Sequence, residues 1–173
     1  RLELYLHSDR LISTEELNGF RDLVRRRGAG EPLQHLLGET EFYSKPFKVL
    51  PNVLIPRPET ELLVEQCIKC LTFKDSSILN PKMIELGVGS GIISVSVACE
   101  IPRLEVHSTD ISEDAINLST INTQLNGVSD KVNLYQGNLF EPLPSRLIGK
   151  VDLLVSNPPY IESKEIANLQ LEV

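Results

Sequence analysis

The chain has 173 residues, of which 41% are hydrophobic and 24% charged, so we expect a soluble globular protein with one main core and a small appendage. The formal net charge of −7 argues against a general polyanion binder, which normally carries a basic footprint. Because no apolar run approaches membrane-spanning length, we expect no membrane association, and three cysteines are too few for a disulfide scaffold. The few cysteines favour a reducing, intracellular setting, so we expect the cytoplasm, with an organelle as the alternative because the chain begins with Arg1 instead of Met.

The first forty residues have a helical pattern. Ser13 stands three residues before Glu16, which predicts a capping box at the start of a helix. The run Arg25 to Arg27 comes at the predicted end of this helix, before Gly28. These arginines fit a solvated helix end where cations oppose the dipole, and contact with RNA or an acidic partner is the alternative. The stretch "EPLQHLLG" predicts a second, short helix.

Residues 41–57 predict a hairpin, "EFYSKPFKV", and a linker. The linker holds Arg57 between two prolines, which keeps the arginine extended, and Pro58 can start the next helix. Helix chemistry explains the prolines and the following acids but not the arginine, so Arg57 is a candidate substrate-binding residue. Cys67 and Cys70 form a CxxC, but no second ligand pair follows, so we predict no metal site and expect both to be buried helix residues.

Strands and helices alternate after residue 82. The predicted strands are "KMIEL", "LEVHST", "KVNLYQ" and "KVDLLVS", and the predicted helices are "SGIISVSVACE" and "SEDAINLSTINTQLNG". This spacing predicts an α/β fold with a parallel sheet covered on both faces. Ligands of such sheets bind beyond the carboxyl ends of the strands.

Two segments at strand ends have the residues of a binding site. The first is "ELGVGSG", in which Gly87, Gly89 and Gly91 let the backbone approach a ligand closely. A dinucleotide motif would have its third glycine where this chain has Ile92, and Glu85 would repel a pyrophosphate but attract a cation. Asp110 ends the next strand at a spacing suited to a ribose diol. Together these features favour S-adenosylmethionine over NAD as cofactor.

The second segment is "VSNPPYI", residues 155–161. The Asn157 side-chain oxygen and the Pro158 carbonyl can each accept an N–H bond from a target NH₂ group, which orients its nitrogen toward an electrophilic methyl. The proline ring fixes this backbone, and Tyr160 offers a flat face to a planar group. This chemistry depends on positioning and electrostatic preorganisation and has no obligatory strong base.

The sequence resembles the HemK/PrmC family of glutamine methyltransferases that act on peptide chain release factors. The resemblance spans essentially the whole chain and rests on several motifs in order: "GEPLQHLLGETEFY", "VLIPRPETELLVE", "ELGVGSG", "STD", "GNLF" and "VSNPPYI". It implies a Rossmann-like methyltransferase sheet, S-adenosylmethionine as cofactor and a release factor as protein substrate, with no direct nucleic-acid binding. The tetrapeptide NPPY alone is less specific, because methyltransferases of nucleic-acid amino groups share it.

The resemblance also implies roles for individual residues. Asn138 and Leu139 would lie beside the adenine, and Asp110 would bind the ribose. The cofactor would contact Glu85 and Asn157 and the turn formed by Gly87, Val88, Gly89, Ser90 and Gly91. The substrate glutamine would be held by Asn157, Pro158, Pro159 and Tyr160. The family commonly has Asp where this chain has Asn138, so we expect an amide contact to the adenine and weaker binding there.

The resemblance predicts three regions. Residues 1–40 would be the end of a helical substrate-recognition domain, 41–57 the hairpin and linker, and 58–173 an incomplete methyltransferase domain whose sheet continues beyond Val173. The alternative functions are methylation of adenine or cytosine amino groups in RNA or DNA, and a catalytically silent protein that docks partners. The net charge and the N-terminal motifs disfavour the first, and the two intact site segments disfavour the second.

Overall fold

Four parallel strands form the central sheet of the protein, in the order β5-β4-β3-β6. The computed structural model describes residue 6 and residues 9–73 and 80–158. The strands are β3 (Lys82–Leu86), β4 (Glu105–Asp110), β5 (Val132–Gln136) and β6 (Leu153–Ser156), and the intervening helices are α4 (Ile92–Glu100) and α5 (Glu113–Leu125). The predicted Rossmann-like α/β fold is therefore confirmed. Among the described residues, no helix is long and apolar enough to cross a membrane.

Two helices precede the sheet. Helix α1 (Thr14–Gly28) begins with the predicted capping box. The Ser13 hydroxyl accepts the Glu16 backbone N–H, and the Glu16 carboxylate accepts the Ser13 backbone N–H. The three arginines lie in its last turn, and Ala29 is the C-cap. Helix α2 (Leu33–Leu37) ends at Gly38, which has a φ of 69° and so adopts the left-handed conformation that glycine tolerates.

A hairpin joins these helices to the rest of the chain. Strands β1 (Glu39–Phe42) and β2 (Lys45–Lys48) pair antiparallel, as the alternating pattern predicts. The turn residues Tyr43 and Ser44 both have positive φ, of 51° and 55°. The Tyr43 backbone N–H donates to the Glu61 carboxylate at 2.8 Å, which fixes the hairpin to helix α3 (Thr60–Phe73).

Helix α3 packs on the sheet through one stripe of side chains, which includes Val64, Cys67 and Leu71. Cys67 is buried, as expected, but Cys70 is exposed, so the prediction that both cysteines are buried was wrong for Cys70. Cys70 lies to one side of the buried stripe, because three residues along a helix turn the side chain away by about 60°. Burial raises the pKa of the Cys67 thiol to about 11, which keeps it protonated and unreactive.

The main core lies between one sheet face and helices α3 and α4. It includes Met83, Val106 and Val155 from three adjacent strands, and Val95 and Val97 from α4. Helix α4 is buried along nearly its whole length, which explains why its sequence is apolar all round. A smaller cluster on the opposite face joins Ile84, Leu86 and Leu147, the last from a short 3₁₀ turn (Ser145–Leu147) that the sequence analysis did not predict.

Candidate functional site

The carboxyl ends of the four strands place both predicted site segments on one edge of the sheet. Leu86 and Ser156 are partners in the parallel register of β3 and β6, and the Ser156 hydroxyl donates to the Leu86 carbonyl at 2.8 Å. The next residues are Gly87 and Asn157. Since neighbouring strands lie about 4.8 Å apart, the glycine turn and the "NPPY" segment begin side by side. This is also where the strand order reverses, the usual ligand position in such sheets.

The glycine turn depends on left-handed backbone at each of its three glycines. The φ angles of Gly87, Gly89 and Gly91 are 75°, 55° and 82°. A Cβ on Gly87 would meet no atom within 4 Å, so open space lies beside this backbone, whereas a Cβ on Gly91 would lie 3.1 Å from the Ser119 Oγ. Gly91 is thus needed for packing, and Gly87 borders a space that a ligand can fill.

Asp110 joins the glycine turn to the next strand. Its Oδ2 accepts the Gly89 backbone N–H at 2.9 Å, and its Oδ1 accepts the Ser112 backbone N–H at 2.9 Å. The carboxylate is half-buried and each oxygen keeps a further lone pair. The side chain is therefore held in place and can still accept bonds from a diol.

Glu85 lies beneath the turn, not in the open site. Its carboxylate is 1% exposed, and Oε2 accepts the Ser94 backbone N–H at 3.0 Å and a short hydrogen bond from the Ser94 hydroxyl, which also contacts the Ser108 hydroxyl at 2.6 Å. Burial, the largest effect, raises the pKa of Glu85 to about 8. The expectation that Glu85 presents a charge to a cationic ligand is corrected: β3 is buried on both faces, and Glu85 instead caps helix α4, whose N-cap Gly91 has no side chain.

Helix α5 braces the glycine turn from behind with polar side chains that the sequence analysis missed. The Ser119 hydroxyl donates to the Gly89 carbonyl at 2.9 Å. The Asn122 amide donates to the Ser90 carbonyl at 2.8 Å, and its oxygen accepts the Lys48 backbone N–H at 2.7 Å. Both side chains are fully buried. The sequence did contain a signal for this role, because both are polar residues on the inward face of an amphipathic helix.

Asn138 and Leu139 follow β5 and are exposed. The Gly137 backbone N–H donates to the Asp110 carbonyl at 2.9 Å, so this loop starts beside the Asp110 end of β4. Leu139 has a φ of 46° and is 55% exposed. The structure thus puts the predicted adenine-contacting pair next to the predicted ribose-binding acid, with the Leu139 side chain free to cover a ligand.

Asn157 and Pro158 are the last described residues of the "NPPY" segment, and the predicted contacts of Pro159 and Tyr160 lie outside the described residues. Asn157 is half-buried and Pro158 is exposed. Within residues 9–73 and 80–158, the Asn157 side chain makes no hydrogen bond, so its amide is not used to cap a turn there.

Arg57 lies in a surface notch that is separate from the glycine turn and the "NPPY" segment. It lines a notch of about 280 Å³ together with Arg27, Pro32, Leu33, Gln34, Ile55, Pro56 and Pro58. Asn52, earlier in the same segment, donates to the Asp114 carboxylate at 3.0 Å, and a Cβ on Gly89 would lie 4.0 Å from Val53. Four extended residues span at most about 14 Å, so Arg57 lies no farther than that from Val53. Its exposed guanidinium has no partner among the described residues.

The edge therefore combines three chemical capacities. The glycine turn offers backbone without side chains, Asp110 offers an anchored anionic acceptor, and Asn157 with Pro158 offers two neutral acceptors. None of the three histidines of the sequence lies in these segments, and His107 is buried between Glu105 and Tyr135. This arrangement suits binding and orientation of a polar group better than acid–base catalysis by histidine.

Two family models match the chain. The methyltransferase small domain matches residues 60–172, and the PrmC N-terminal domain matches residues 1–38. The release factor glutamine methyltransferase of Aliivibrio fischeri is 43% identical over 91% of this chain and 52% of its own length. The protein of the same name from Chlorobaculum tepidum is 39% identical over 100% of this chain and 60% of its own. The chain thus spans between half and two thirds of the length of these two relatives.

Solved structures share the fold at lower sequence identity. A SAM-dependent methyltransferase from Agrobacterium tumefaciens is 18% identical with a TM-score of 0.57, over 70% of this chain and 39% of that one. The N-terminal domain of human METTL16, crystallised with SAH, is 17% identical with a TM-score of 0.55, over 68% of this chain and 47% of that one. These likenesses support the methyltransferase type of sheet.

Proposed function

The chain belongs to the methyltransferase small domain family, the resemblance to the HemK/PrmC family is confirmed, and we propose on this premise that the whole protein methylates a release factor. The methyl group would pass from the sulfonium of S-adenosylmethionine to the side-chain amide nitrogen of the glutamine in a Gly-Gly-Gln motif. The S–C bond breaks as the N–C bond forms, the cofactor leaves as the neutral thioether S-adenosylhomocysteine, and the nitrogen releases one of its two protons to water. The names of the relatives, which are 39% to 43% identical, support this substrate. We propose the cytoplasm as the site of action.

One structural observation carries the proposal. The glycine turn and the "NPPY" segment start one residue beyond the paired Leu86 and Ser156. A cofactor held at the turn and an amide held by Asn157 would therefore be neighbours, as group transfer requires. Nucleoside-binding sheets often show a glycine turn followed by an acid, but they need no strand-end amide acceptors next to it.

The residues of the edge fit S-adenosylmethionine. The left-handed backbone of Gly87 borders open space that any Cβ would narrow, and Asp110 is anchored with acceptor capacity left for a ribose diol. Asn138 and Leu139 would contact the adenine. When bound, the cofactor supplies an electrophilic methyl group on a sulfonium. Glu85 would act indirectly, by holding the start of α4 and hence the shape of the turn.

The chain's own residues would prepare the target nitrogen. An amide nitrogen is a poor nucleophile because its lone pair is delocalised into the carbonyl. Asn157 Oδ1 and the Pro158 carbonyl would each accept one N–H bond and orient the nitrogen toward the turn. As the N–H groups become more acidic during attack, these bonds strengthen, so they stabilise the transition state more than the ground state. We also propose that Pro159 and Tyr160 pack against the glutamine side chain.

We propose three regions for the chain: residues 1–40 for substrate recognition, 41–57 as hairpin and linker, and 58–173 for methyl transfer. The surface of α1 supports a recognition role, because Phe20 and Val24 are more than half exposed. The Arg57 notch is lined by residues of the first region and of the linker, together with Pro58 at the start of the third, so a protein substrate that binds there would contact all three.

A transfer assay with labelled cofactor tests the proposed function. The whole protein is offered a release factor, its Gly-Gly-Gln variant with Ala in place of Gln, and bulk RNA in parallel. We expect label on the release factor alone. Label on RNA but not on the release factor would support the amino methyltransferase of nucleic acids instead, and no label on any substrate would support a silent docking protein.

A further inference from the structure

Asn138 and Glu141 form a side-chain pair in the loop after β5. The Asn138 Nδ2 donates to the Glu141 Oε1 at 3.2 Å, and the Glu141 backbone N–H donates to the Asn138 carbonyl at 3.0 Å. The loop itself is held at its base. Gly137 donates to the Asp110 carbonyl at 2.9 Å, and a Cβ on Gly137 would lie 2.8 Å from the ring of Pro142, so this ring packs against the glycine. The pair therefore sits on a fixed turn beside Asp110.

The chemistry of the two groups fixes the direction of the amide. A primary amide has a donor end and an acceptor end, and a half rotation about its last bond exchanges them. A carboxylate can only accept hydrogen bonds. Glu141 therefore pairs with the Nδ2 end of Asn138, and the Oδ1 end points elsewhere, with two lone pairs available. Without such a partner, an exposed asparagine amide can present either end to a ligand.

We propose that Glu141 is a positioning residue that makes the site select a 6-amino purine over a 6-oxo purine. The inference rests on the proposed function, which puts Asn138 beside the adenine. The exocyclic amine of adenine is a donor and matches a fixed Oδ1 acceptor. The oxo group of hypoxanthine is an acceptor, and a fixed Oδ1 would face it without a proton between them. An aspartate at position 138 would prefer the 6-amino purine directly, because both of its oxygens are acceptors. With Asn138 in that place, Glu141 would give the same preference by fixing the direction of the amide.

Calorimetry with S-adenosylhomocysteine and S-inosylhomocysteine tests this role. The two compounds differ only in the amino or oxo group and its ring proton. We expect the wild-type protein to bind the adenosyl compound roughly tenfold more tightly, the worth of about one hydrogen bond. In Glu141→Ala the amide can rotate and donate to the oxo group, so the ratio should fall several-fold, mainly because the inosyl compound binds better. Asp130→Ala is the matched control, since it removes one exposed acid near the opposite end of β5, and it should keep the wild-type ratio.

The Asn138→Asp variant separates two possible effects of Glu141: fixing the direction of the amide and stabilising the loop. In Asn138→Asp the two carboxylate oxygens are equivalent, so there is no orientation to fix. Adding Glu141→Ala to Asn138→Asp should leave the adenosyl-to-inosyl ratio unchanged, although both affinities can rise as repulsion is removed. An unchanged ratio in the single variant Glu141→Ala, or an equal change in both backgrounds, would overturn the inference while the proposed function stands. A wild-type protein that binds neither compound would overturn the proposed cofactor, and the role of Glu141 with it.

Discussion

The Asp110 carboxylate accepts the backbone N–H of Gly89 at 2.9 Å, which ties the end of β4 to the middle of the glycine turn of β3. Its other oxygen accepts the Ser112 backbone N–H at the start of α5. One side chain thus holds three segments of the site in place. An acid anchored in this way loses little side-chain freedom when a ligand binds, which favours affinity.

Removing this carboxylate should weaken cofactor binding. We expect Asp110→Ala to reduce the binding free energy of S-adenosylmethionine by about 1.5–3 kcal/mol, the worth of hydrogen bonds to a charged group. The variant should also be less stable, because the Gly89 and Ser112 amides lose their acceptor. Calorimetry on samples of matched folded fraction separates the two effects. Unchanged affinity would remove Asp110 from the proposed site.

Two glycines of the turn should respond differently to the same substitution. Gly87→Ala and Gly91→Ala both place a Cβ in left-handed backbone, which costs about 1–2 kcal/mol. Only at Gly91 does the Cβ also press on Ser119, which adds roughly 1–3 kcal/mol of overpacking. Urea unfolding of both variants measures the difference. Equal losses of unfolding free energy in the two variants would contradict the described packing. The affinity for the cofactor should fall in Gly87→Ala, because its Cβ enters the open space beside the turn.

The buried Glu85 predicts a pH dependence of stability. Its pKa is about 8 in the folded protein against 4.5 for an exposed glutamate. Between these values the folded state retains a proton that the unfolded state releases, so the unfolding free energy falls as the pH rises. Glu85→Gln keeps the shape and cannot ionise. The stability of this variant relative to wild type should therefore increase from about pH 4.5 to about pH 8, measured by urea unfolding without cofactor. A pH-independent difference would show that Glu85 does not titrate in this range.

Arg57 should act on substrate binding and not on methyl transfer. We expect Arg57→Ala to raise the KM for the release factor about twofold to fivefold and to leave kcat nearly unchanged. The reason is that an exposed ion pair between Arg57 and an acidic group of the substrate contributes about 0.4–1 kcal/mol, equally in the ground state and the transition state. Arg103→Ala is the matched control: Arg103 is also exposed, but it precedes β4 at the opposite edge of the sheet. The same KM change in both variants would point to net charge and not to the notch.

The sequence predicted the architecture well, because most of the signals were local. The capping box at Ser13, the hairpin pattern around Tyr43 and the alternation of strands with helices depend on neighbouring residues, and the structure shows each of them. The placement of both site segments at the carboxyl ends of strands also followed, since parallel strands end at a common edge. That the two strands are direct neighbours required the strand order.

The direction in which side chains point was harder to predict. Strand β3 is buried on both faces, so alternation gives no sign of which face Glu85 occupies. Ser119 and Asn122 brace backbone atoms that are about thirty residues away, and such long-range bonds leave only a weak pattern in the sequence. Cys70 lies on the margin of a helix face, where periodicity does not separate buried from exposed positions.

Asn157 gives the most direct test of the account as a whole. Its side-chain oxygen is proposed to stabilise the transition state of methyl transfer, so Asn157→Ala should lower the single-turnover rate by about 10²–10³-fold, the usual loss for one preorganised polar partner. Affinity for S-adenosylmethionine should fall much less, because the glycine turn and Asp110 remain. Stability should be nearly unchanged, since the amide has no hydrogen-bond partner among the described residues.

The measurement is the single-turnover rate of release factor methylation by wild type and Asn157→Ala, each saturated with cofactor and matched for folded protein. The account predicts a rate at least a hundredfold lower in the variant, the lower bound of that loss. A rate within a few-fold of wild type, together with a loss of about 1 kcal/mol in stability, would mean that the segment only ends a strand.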